Sequence, residues 1–249
     1  MTESIIPRDD KCNGWDHLLP EPPRAERLNL CKDVEWLVIG AGFTGLAAAR
    51  RLAELRPGER VVLLDALRVG QGASGRNTGF VIDLPHKRDL EGDDIARKQK
   101  LLGLNRNAIK DLGALVESHN IDCGWSLAGK YQGAVGERGL KYLSGYEKLL
   151  KEFDYPYKRL EREELRPILG TSHYAAAVYT ADTALMQPAA LVRGLAETLP
   201  ANVELHEDSP VVGLSRSNGN WHAVTPEGGV RAKNLVLGSN IYSQEFGFL

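Results

Sequence analysis

Cysteine is scarce in this chain of 249 residues: the three copies, Cys12, Cys31 and Cys123, lie far apart. An odd number of cysteines without a Cys-x-x-Cys pair predicts neither a disulfide framework nor a zinc site. Four scattered histidines also lack metal-ligand spacing and form no Ser/His/Asp arrangement; they are His119, His173, His206 and His222. We therefore expect no bound metal and a reducing, cytoplasmic environment.

The chain also lacks an excess of charge of either sign and any long hydrophobic run. Its 31 basic and 33 acidic side chains give a net charge of −2, so no broad basic field is available for nucleic acid or an anionic membrane. The longest apolar candidate, 37–49, is interrupted by glycines and is shorter than the roughly 18 residues of a membrane span. We expect a soluble protein whose partners include neither nucleic acid nor membrane.

Residues 1–33 lack the charged start, apolar stretch and small-residue cleavage site of a signal peptide. They contain Pro20, Pro22 and Pro23 among many charged side chains, which predicts an extended N-terminal arm. With 43% hydrophobic and 26% charged residues, the composition is that of a globular protein of one large or two smaller domains.

The most informative motif is a glycine-rich turn, Gly40-Ala41-Gly42-Phe43-Thr44-Gly45, directly after the apolar run 34–39. Its first glycine permits a tight turn between a strand and a helix, and its second lets the backbone approach a pyrophosphate. Its third lets the helix pack closely on the strand. Because unpaired N–H groups and the positive end of the helix dipole coincide there, the start of this helix favours an anion.

An acidic residue, Asp65, follows twenty residues after the last glycine, at the end of a second apolar run, 61–64. Its carboxylate can accept hydrogen bonds from the 2′ and 3′ hydroxyls of a ribose, and it disfavours a 2′-phosphate. Strand, glycine turn, helix 44–55, the breaker Pro57-Gly58, second strand and acid thus occur in the order of a dinucleotide-binding unit. This context predicts a bound adenine dinucleotide; the alternative is a βαβ turn that binds nothing.

A second glycine-rich segment follows at 68–79, with four glycines between positions 70 and 79 and small polar residues among them. Glycine and serine let backbone N–H groups point at a ligand, and Arg76 can supply a positive charge to a phosphate. The segment begins at the carboxyl end of the second strand, where ligands of open α/β folds bind. We interpret it as a second cradle for the ligand, the alternative being a flexible surface loop.

The rest of the chain departs from the βαβ order. The further predicted helices are 93–116, 140–153, 161–169 and 188–199, and the further predicted strands lie within 124–134, 174–179, 203–206, 210–215, 221–225 and 230–237. Pro188 suits the first position of its helix, and Asn218-Gly219 is a hairpin signal. The change of order predicts an α/β protein with an inserted domain.

Residues 34–245 resemble the D-amino-acid oxidase-like (DAO) family of FAD-dependent amine oxidoreductases, through both glycine segments and the closing run Asn234-Leu-Val-Leu-Gly238-Ser239-Asn240-Ile-Tyr242. The run Gly72-Ala-Ser-Gly-Arg-Asn-Thr-Gly79 and the following Phe80-Val-Ile-Asp-Leu-Pro-His86 are similar to the branch of γ-glutamylputrescine oxidoreductase and the taurine dehydrogenase large subunit. The resemblance implies a GR2-type, Rossmann-like FAD-binding domain at 34–120 and 187–249. It also implies part of an α+β substrate domain at 121–186.

The resemblance further implies which positions contact FAD. Asp65 would hold the adenosine ribose, the segment 74–78 the pyrophosphate and ribityl side, and Val211 the adenine end through its backbone. Gly238 and Ser239 would pass close to the cofactor. The full set of cofactor-binding candidates is Gly40, Gly42, Phe43, Thr44, Gly45, Asp65, Ala66, Gly72, Ala73, Ser74, Arg76, Asn77, Thr78, Gly79, Val211, Gly238 and Ser239.

The chemistry that the resemblance implies is oxidation of a C–N bond in a small amine or amino acid. Hydride would pass to flavin N5, and the resulting imine would hydrolyse to an aldehyde or keto product. His86 is the catalytic candidate, as a base, a hydrogen-bond donor or a covalent attachment point; the alternative is a surface or structural histidine. The electron acceptor, oxygen or another, stays open. An NAD-dependent dehydrogenase is disfavoured, because it would not need the late β-rich return.

Members of the family are usually longer, and their C-terminal third completes the substrate domain. The expectation from the sequence is therefore a truncated chain or one piece of a split enzyme, with exposed strand edges that invite pairing. A non-catalytic FAD-binding fragment, or a subunit that needs a partner chain, is the alternative to an active enzyme.

Overall fold

The structure is a computed structural model that describes residues 6–84 and 95–247. The chain divides into two compact units. The described residues of the first unit are 6–78, 119–123 and 187–247, and those of the second are 79–84, 95–118 and 124–186. The described residues 79–84 and 95–118 thus group with the second unit, whereas the sequence suggested a first domain that continues to residue 120. The assignment of cofactor and substrate roles to these units stays a prediction.

Eleven strands and five α-helices occur within the described residues. They are β1 (Cys31–Ile39), α1 (Phe43–Leu55), β2 (Val61–Leu64), β3 (Phe80–Ile82), α2 (Ile95–Ser118), β4 (Lys130–Ala134), α3 (Gly136–Glu152), β5 (Lys158–Glu161), α4 (Arg162–Leu169), β6 (Ala176–Thr180), β7 (Thr183–Leu185), α5 (Pro188–Glu197), β8 (Val203–His206), β9 (Gly213–Ser217), β10 (Asn220–Val224) and β11 (Gly229–Leu237). Short 3-10 helices lie at Asp16–Leu18, Ala73–Gly75 and Asn240–Phe246.

In the described part of the first unit, six strands form one sheet in the order β8-β2-β1-β11-β10-β9. The four strands β8, β2, β1 and β11 are parallel, and β10 and β9 continue the sheet in antiparallel fashion. All four residues of β2 are buried, as expected for a short apolar strand in a parallel sheet. Helix α1 connects β1 to β2 and packs on both, which makes this the βαβ unit that the sequence predicts.

The helix α1 is held against the sheet by residues spaced three and four apart. Its buried positions include Leu46, Ala49 and Ala53. A buried arginine on the same helix, Arg50, donates hydrogen bonds to the carbonyls of Leu195 and Thr198, at 3.2 and 2.7 Å. These carbonyls lie at the C-terminus of α5, where a cation is favourable, so Arg50 joins the two helices.

The N-terminal arm runs from residue 6 to residue 30 without a strand or α-helix. Leu28 of the arm is 1% exposed and joins a core cluster on one face of the sheet. That cluster consists of Leu28, Val34, Leu37, Ile39, Val62, Leu64, Ala223, Val230 and Ala232. The arm therefore contributes to the core of the first unit.

The second unit contains an antiparallel sheet in the order β4-β6-β5 and a separate pair, β3 with β7. Helix α3 packs on β4 and β6. A fully buried carboxylate, that of Asp83, accepts hydrogen bonds from Tyr155 Oη at 2.9 and 3.0 Å and from Arg106 Nε at 3.0 Å. Because a buried charge needs such partners, this network is a structural anchor of the unit.

Several local expectations are confirmed, and others differ from the structure: the helix predicted at 140–153 begins at Gly136, and β1 begins at Cys31, within the predicted arm 1–33. Strand 61–64, the helix start at Pro188 and the hairpin turn at Asn218-Gly219 occur as predicted. The segment 124–134 forms a strand only from residue 130, because Gly124 and Gly129 have positive φ, of 61° and 72°, which interrupt an extended strand. Strand β9 begins at Gly213 rather than at residue 210, where a proline cannot donate to the ladder.

No helix in the part of the chain that the structure describes is long and apolar enough to cross a membrane.

The tight packing of the first glycine turn yields a prediction about stability. A Cβ at Gly45 would lie 1.7 Å from the carbonyl oxygen of Gly40, a contact that requires the backbone to move. We expect Gly45→Ala to lower the free energy of unfolding by about 3 kcal/mol or more, measured by urea denaturation.

The matched control is Gly58→Ala, since a Cβ at Gly58 meets no atom within 4 Å. This control should change the free energy of unfolding by no more than about 1 kcal/mol. Equal stability of the two variants would contradict the packing derived for α1.

Candidate cofactor site

The sequence motifs lie close together because the parallel strands that precede them end at the same edge of the sheet. Ile39 of β1 is the register partner of Leu64 in β2 and of Leu237 in β11. The residues that follow these strand ends include Gly40, Asp65 and Gly238. All three lie at the carboxyl edge of the sheet, where open α/β sheets bind their ligands.

The first glycine turn packs backbone against backbone. Gly40 has a φ of 100°, in the region that favours glycine, and a Cβ there would lie 2.7 Å from the carbonyl group of Gly238. Gly238 N also donates a hydrogen bond to Ile39 O at 2.8 Å. The turn between β1 and α1 therefore depends on a glycine on each side of the contact.

The second glycine segment folds back onto the start of α1. The backbone N–H of Phe43, in the first turn of the helix, donates to Ser74 Oγ at 3.0 Å. A Cβ at Gly42 would lie 2.8 Å from the same oxygen. The structure thus brings together the two segments that the sequence suggested as cradles, with Ser74 beside the end of the helix that attracts anions.

Asp65 connects the end of β2 to the glycine turn. Its Oδ2 accepts a hydrogen bond from Ala41 N at 2.6 Å, and its Oδ1 accepts one from Leu67 N at 2.9 Å. Burial is the main cause that raises the pKa of Asp65 from 3.8 to about 6; the two N–H donors act to lower it, and the nearby Glu207 and Asp208 act with burial to raise it. Each carboxylate oxygen keeps a lone pair with which to accept a bond from a hydroxyl group.

A cavity of about 700 Å³ opens at this edge of the first unit. Its volume lies in the range of small-molecule and cofactor sites. Eleven of the predicted cofactor-binding residues line it: Gly40, Gly42, Asp65, Ala66, Gly72, Ala73, Ser74, Arg76, Val211, Gly238 and Ser239. The open backbone of the glycine turn, the helix start and the Asp65 carboxylate match the chemistry of an adenosine diphosphate group, so the residues present fit FAD.

The other predicted site residues do not line this cavity. Phe43 contributes its N–H to Ser74, Thr44 is exposed, and Gly45 is buried under the turn. Asn77 donates from Nδ2 to Ser74 O at 2.8 Å and so supports the segment from within. Thr78 is an exposed residue of the same unit.

Two further candidates lie elsewhere. Gly79 belongs to the second unit, where its carbonyl oxygen accepts a hydrogen bond from Met186 N at 3.0 Å. His86 lies outside the described residues. Its catalytic role therefore stays a prediction from the sequence.

Arg76 has different partners from those that the sequence suggested. Its guanidinium contacts Asp9 at 2.9 Å and Asp10 at 2.8 Å, and its Nε donates to Gln71 O at 2.7 Å. Two carboxylates thus balance its charge, and Arg76 connects the glycine segment to the N-terminal arm. Its contact with a phosphate stays a prediction from the sequence.

The residues that line the cavity but were not named as cofactor contacts from the sequence include two groups. One comes from the arm: Ile6, Pro7, Arg8 and Asp10. The other lies in and near the 3-10 helix 240–246: Asn240, Ile241, Tyr242, Glu245 and Phe246. Neither group belongs to a periodic or glycine-rich pattern, so only the position of Gly238-Ser239 before the second group could have indicated it.

The raised pKa of Asp65 yields a prediction about pH. The ionised form is disfavoured in the folded state, so the contribution of this group to stability is fully present below about pH 4 and is lost as the pH rises through about 6. A shift of about two pKa units corresponds to about 2–3 kcal/mol. We expect the free energy of unfolding of the cofactor-free wild type, relative to Asp65→Asn, to fall by about this amount between pH 4 and pH 7.5.

Urea denaturation of both proteins across this pH range measures the difference. A difference that stays constant with pH would show that Asp65 titrates normally in the folded protein.

Comparison with known proteins agrees with this geometry. Residues 35–248 match the DAO family, described as FAD dependent oxidoreductase. A probable oxidoreductase, OrdL, of Haemophilus influenzae is 31% identical over 235 residues, which are 91% of this chain and 52% of that protein. Gamma-glutamylputrescine oxidoreductase of Escherichia coli is 27% identical over 215 residues, which are 82% of this chain and 48% of that protein. The chain spans about half the length of the curated relatives it matches.

Solved structures show the same fold. Glycine oxidase from Geobacillus kaustophilus superposes with a TM-score of 0.75 at 19% identity, covering 87% of this chain and 58% of that one. L-proline dehydrogenase from P. horikoshii gives a TM-score of 0.66 at 18% identity, covering 88% of this chain and 56% of that one. Because the family match extends over residues 35–248, the chain belongs to the DAO family of FAD-dependent oxidoreductases.

Proposed function

We propose that the first unit binds the adenosine diphosphate half of FAD in the cavity at the carboxyl edge of its sheet. We further propose that the complete enzyme oxidises the C–N bond of a small amine or amino acid. One observation carries the proposal: the glycine turn that ends at Gly42, the N-cap of α1, lines the same cavity of about 700 Å³ as Asp65 and the Gly238-Ser239 segment. Membership of the DAO family favours FAD over NAD as the dinucleotide.

Different residues of the site would bind different parts of the cofactor. The backbone around Gly42, the N-cap of α1, would meet the pyrophosphate, because the positive end of the helix dipole favours an anion there. Asp65 would accept hydrogen bonds from the ribose hydroxyls. Val211, which also lines the cavity, would contact the adenine end.

When bound, FAD supplies the hydride acceptor that converts the amine to an imine, which water hydrolyses to an aldehyde or keto product. The chain's own contribution lies in binding and orientation. Asp65 is held by two backbone N–H donors, so its carboxylate keeps one orientation toward the cavity. The Ser74 hydroxyl, fixed by Phe43 N, would place a polar group beside the phosphates. His86 stays the proposed catalytic candidate.

The relatives indicate which substrates to test first. Gamma-glutamylputrescine oxidoreductase and glycine oxidase are among the similar proteins, and their names point to an amine and an amino acid. Both an oxidase and a dehydrogenase occur among the similar structures, so the electron acceptor has to be measured. The alternative function is FAD binding without catalysis by this chain, which spans about half of its relatives' length.

A titration with FAD tests the proposed site. We expect the purified protein to bind one FAD, with flavin absorption between about 350 and 500 nm. Asp65→Ala should weaken binding by about tenfold to hundredfold, because it removes a charged acceptor of hydrogen bonds from the ribose. Asp33→Asn is the control, since Asp33 is an exposed acid near the start of β1, away from the carboxyl edge of the sheet, and should leave the affinity within about twofold.

Anaerobic addition of γ-glutamylputrescine, taurine or glycine to the FAD complex then separates the two functions. Bleaching of the flavin bands would support amine oxidation by this chain, and unchanged bands would support binding without catalysis. A folded wild type that binds no FAD would overturn the proposed function.

A further inference from the structure

The hydrogen bonds within the second glycine segment are local ones. Within 70–77, backbone hydrogen bonds join Gly75 N to Gly72 O at 3.1 Å and Arg76 N to Ala73 O at 3.2 Å, and side-chain donors join Arg76 Nε to Gln71 O at 2.7 Å and Asn77 Nδ2 to Ser74 O at 2.8 Å. Gly72 and Ala73 are exposed. Because glycine has a large conformational entropy in the absence of other constraints, such a segment needs contacts from elsewhere to hold one shape.

A buried asparagine of the arm supplies these contacts. Asn13 is 6% exposed, and its Nδ2 donates to Gly70 O at 3.3 Å and to Gly75 O at 3.1 Å. Gly70 precedes the 3-10 turn Ala73–Gly75, which contains Ser74, and Gly75 is the last residue of that turn. The Asn13 side chain is itself oriented by Trp15 N, which donates to its Oδ1 at 3.2 Å.

The same part of the arm holds the segment at two further points. Trp15 Nε1 donates to Asn77 O at 2.9 Å, and Asp9 and Asp10 contact Arg76. Residues 9–16, which we call the strap, thus contact the glycine segment at Gly70, Gly75, Arg76 and Asn77.

Helix α5 anchors the strap on its other side. Gln187, the N-cap residue of α5, donates from Nε2 to Trp15 O at 2.8 Å. Arg193 of the same helix forms an ion pair with Asp16 and donates to Pro20 O at 3.1 Å. The strap therefore connects the loop that carries Ser74 to a rigid helix of the same unit.

We propose that the strap is a positioning element for the cofactor site, and that Asn13 is its central positioning residue. It holds segment 70–77 in the shape that places Ser74 at the start of α1 before FAD binds. A protein without this constraint has to order the segment on binding, and the cost of that ordering weakens the affinity. The inference rests on the proposed function, because it assigns Asn13 a role in binding FAD.

The test compares Asn13→Ala with a matched asparagine in the same unit. Asn202 Nδ2 also donates to backbone carbonyls, those of Ala53, Arg56 and Glu59, at 3.3, 3.4 and 3.0 Å. Its contacts lie near the amino end of β2, at the opposite end of the strand from Asp65. Asn202→Ala should therefore lower stability by a comparable amount without affecting segment 70–77.

Two quantities are measured for wild type, Asn13→Ala and Asn202→Ala well below their melting temperatures. The first is the dissociation constant for FAD, and the second is amide hydrogen exchange of residues 70–77 in the cofactor-free proteins. We expect Asn13→Ala to raise the dissociation constant by about tenfold to hundredfold and to speed exchange in this segment. Asn202→Ala should change the dissociation constant by no more than about twofold.

A more conservative substitution in the strap tests the same proposal if Asn13→Ala does not fold. Trp15→Phe keeps the aromatic ring but removes the Nε1–H that reaches Asn77 O. We expect it to raise the dissociation constant by about threefold to tenfold and to speed exchange near Asn77.

The outcomes separate the inference from the function on which it depends. A wild type that binds FAD, with Asn13→Ala and Trp15→Phe binding equally well, would overturn the strap and leave the proposed function intact. Equal weakening by Asn13→Ala and Asn202→Ala would also overturn it, because general destabilisation would then be the cause. A wild type that binds no FAD would overturn the proposed function, and the role of the strap in binding with it.

Discussion

The site depends on a contact between two stretches of backbone, at Gly40 and Gly238. A Cβ at Gly40 would lie 2.7 Å from the carbonyl of Gly238, and one at Gly238 would lie 3.0 Å from Cα of Gly45. This packing sets how β1, α1 and β11 meet at the carboxyl edge of the sheet. The position of the helix start, and therefore of its N-cap Gly42 at the cavity, follows from it.

The polar and charged groups that the site offers to a ligand are mainly backbone groups and one carboxylate. Arg76, which the sequence suggested as a phosphate ligand, is paired with Asp9 and Asp10. Arg68, another cavity residue, is paired with Glu207 at 2.9 Å. The N-terminus of α1 is then one source of positive potential for a pyrophosphate, and Arg8, which also lines the cavity, is another. Arg68 and Arg76 connect loops of the first unit to one another.

Local sequence patterns were sufficient to predict the parts of the site that depend on local geometry. The glycine turn, Asp65 and the second glycine segment have recognisable spacing because the backbone conformations that they adopt restrict the residue types. No such pattern marks the strap in the sequence. Asn13 acts through contacts with Gly70 and Gly75, which lie 57 and 62 positions further along the chain. The partners of Arg76 could not be predicted for the same reason. A charged side chain in a sequence indicates that it needs a partner of opposite charge, but it does not indicate which residue that partner is. The boundary at residue 79 was likewise set by tertiary packing, which the sequence order does not display.

The order of strands in the first sheet has a consequence for how the protein is made. β1 pairs with β11, although Asp33 and Arg231, which are register partners, lie 198 residues apart. During synthesis, one edge of β1 has no partner from the sheet until β11 has left the ribosome, while β2 can pair with the other edge early. Contacts between residues so distant in sequence form slowly, and an unpaired apolar strand is exposed to association with other chains in the meantime. The carboxyl edge that carries Gly238 is therefore completed late, and folding of this unit should benefit from a chaperone that shields β1.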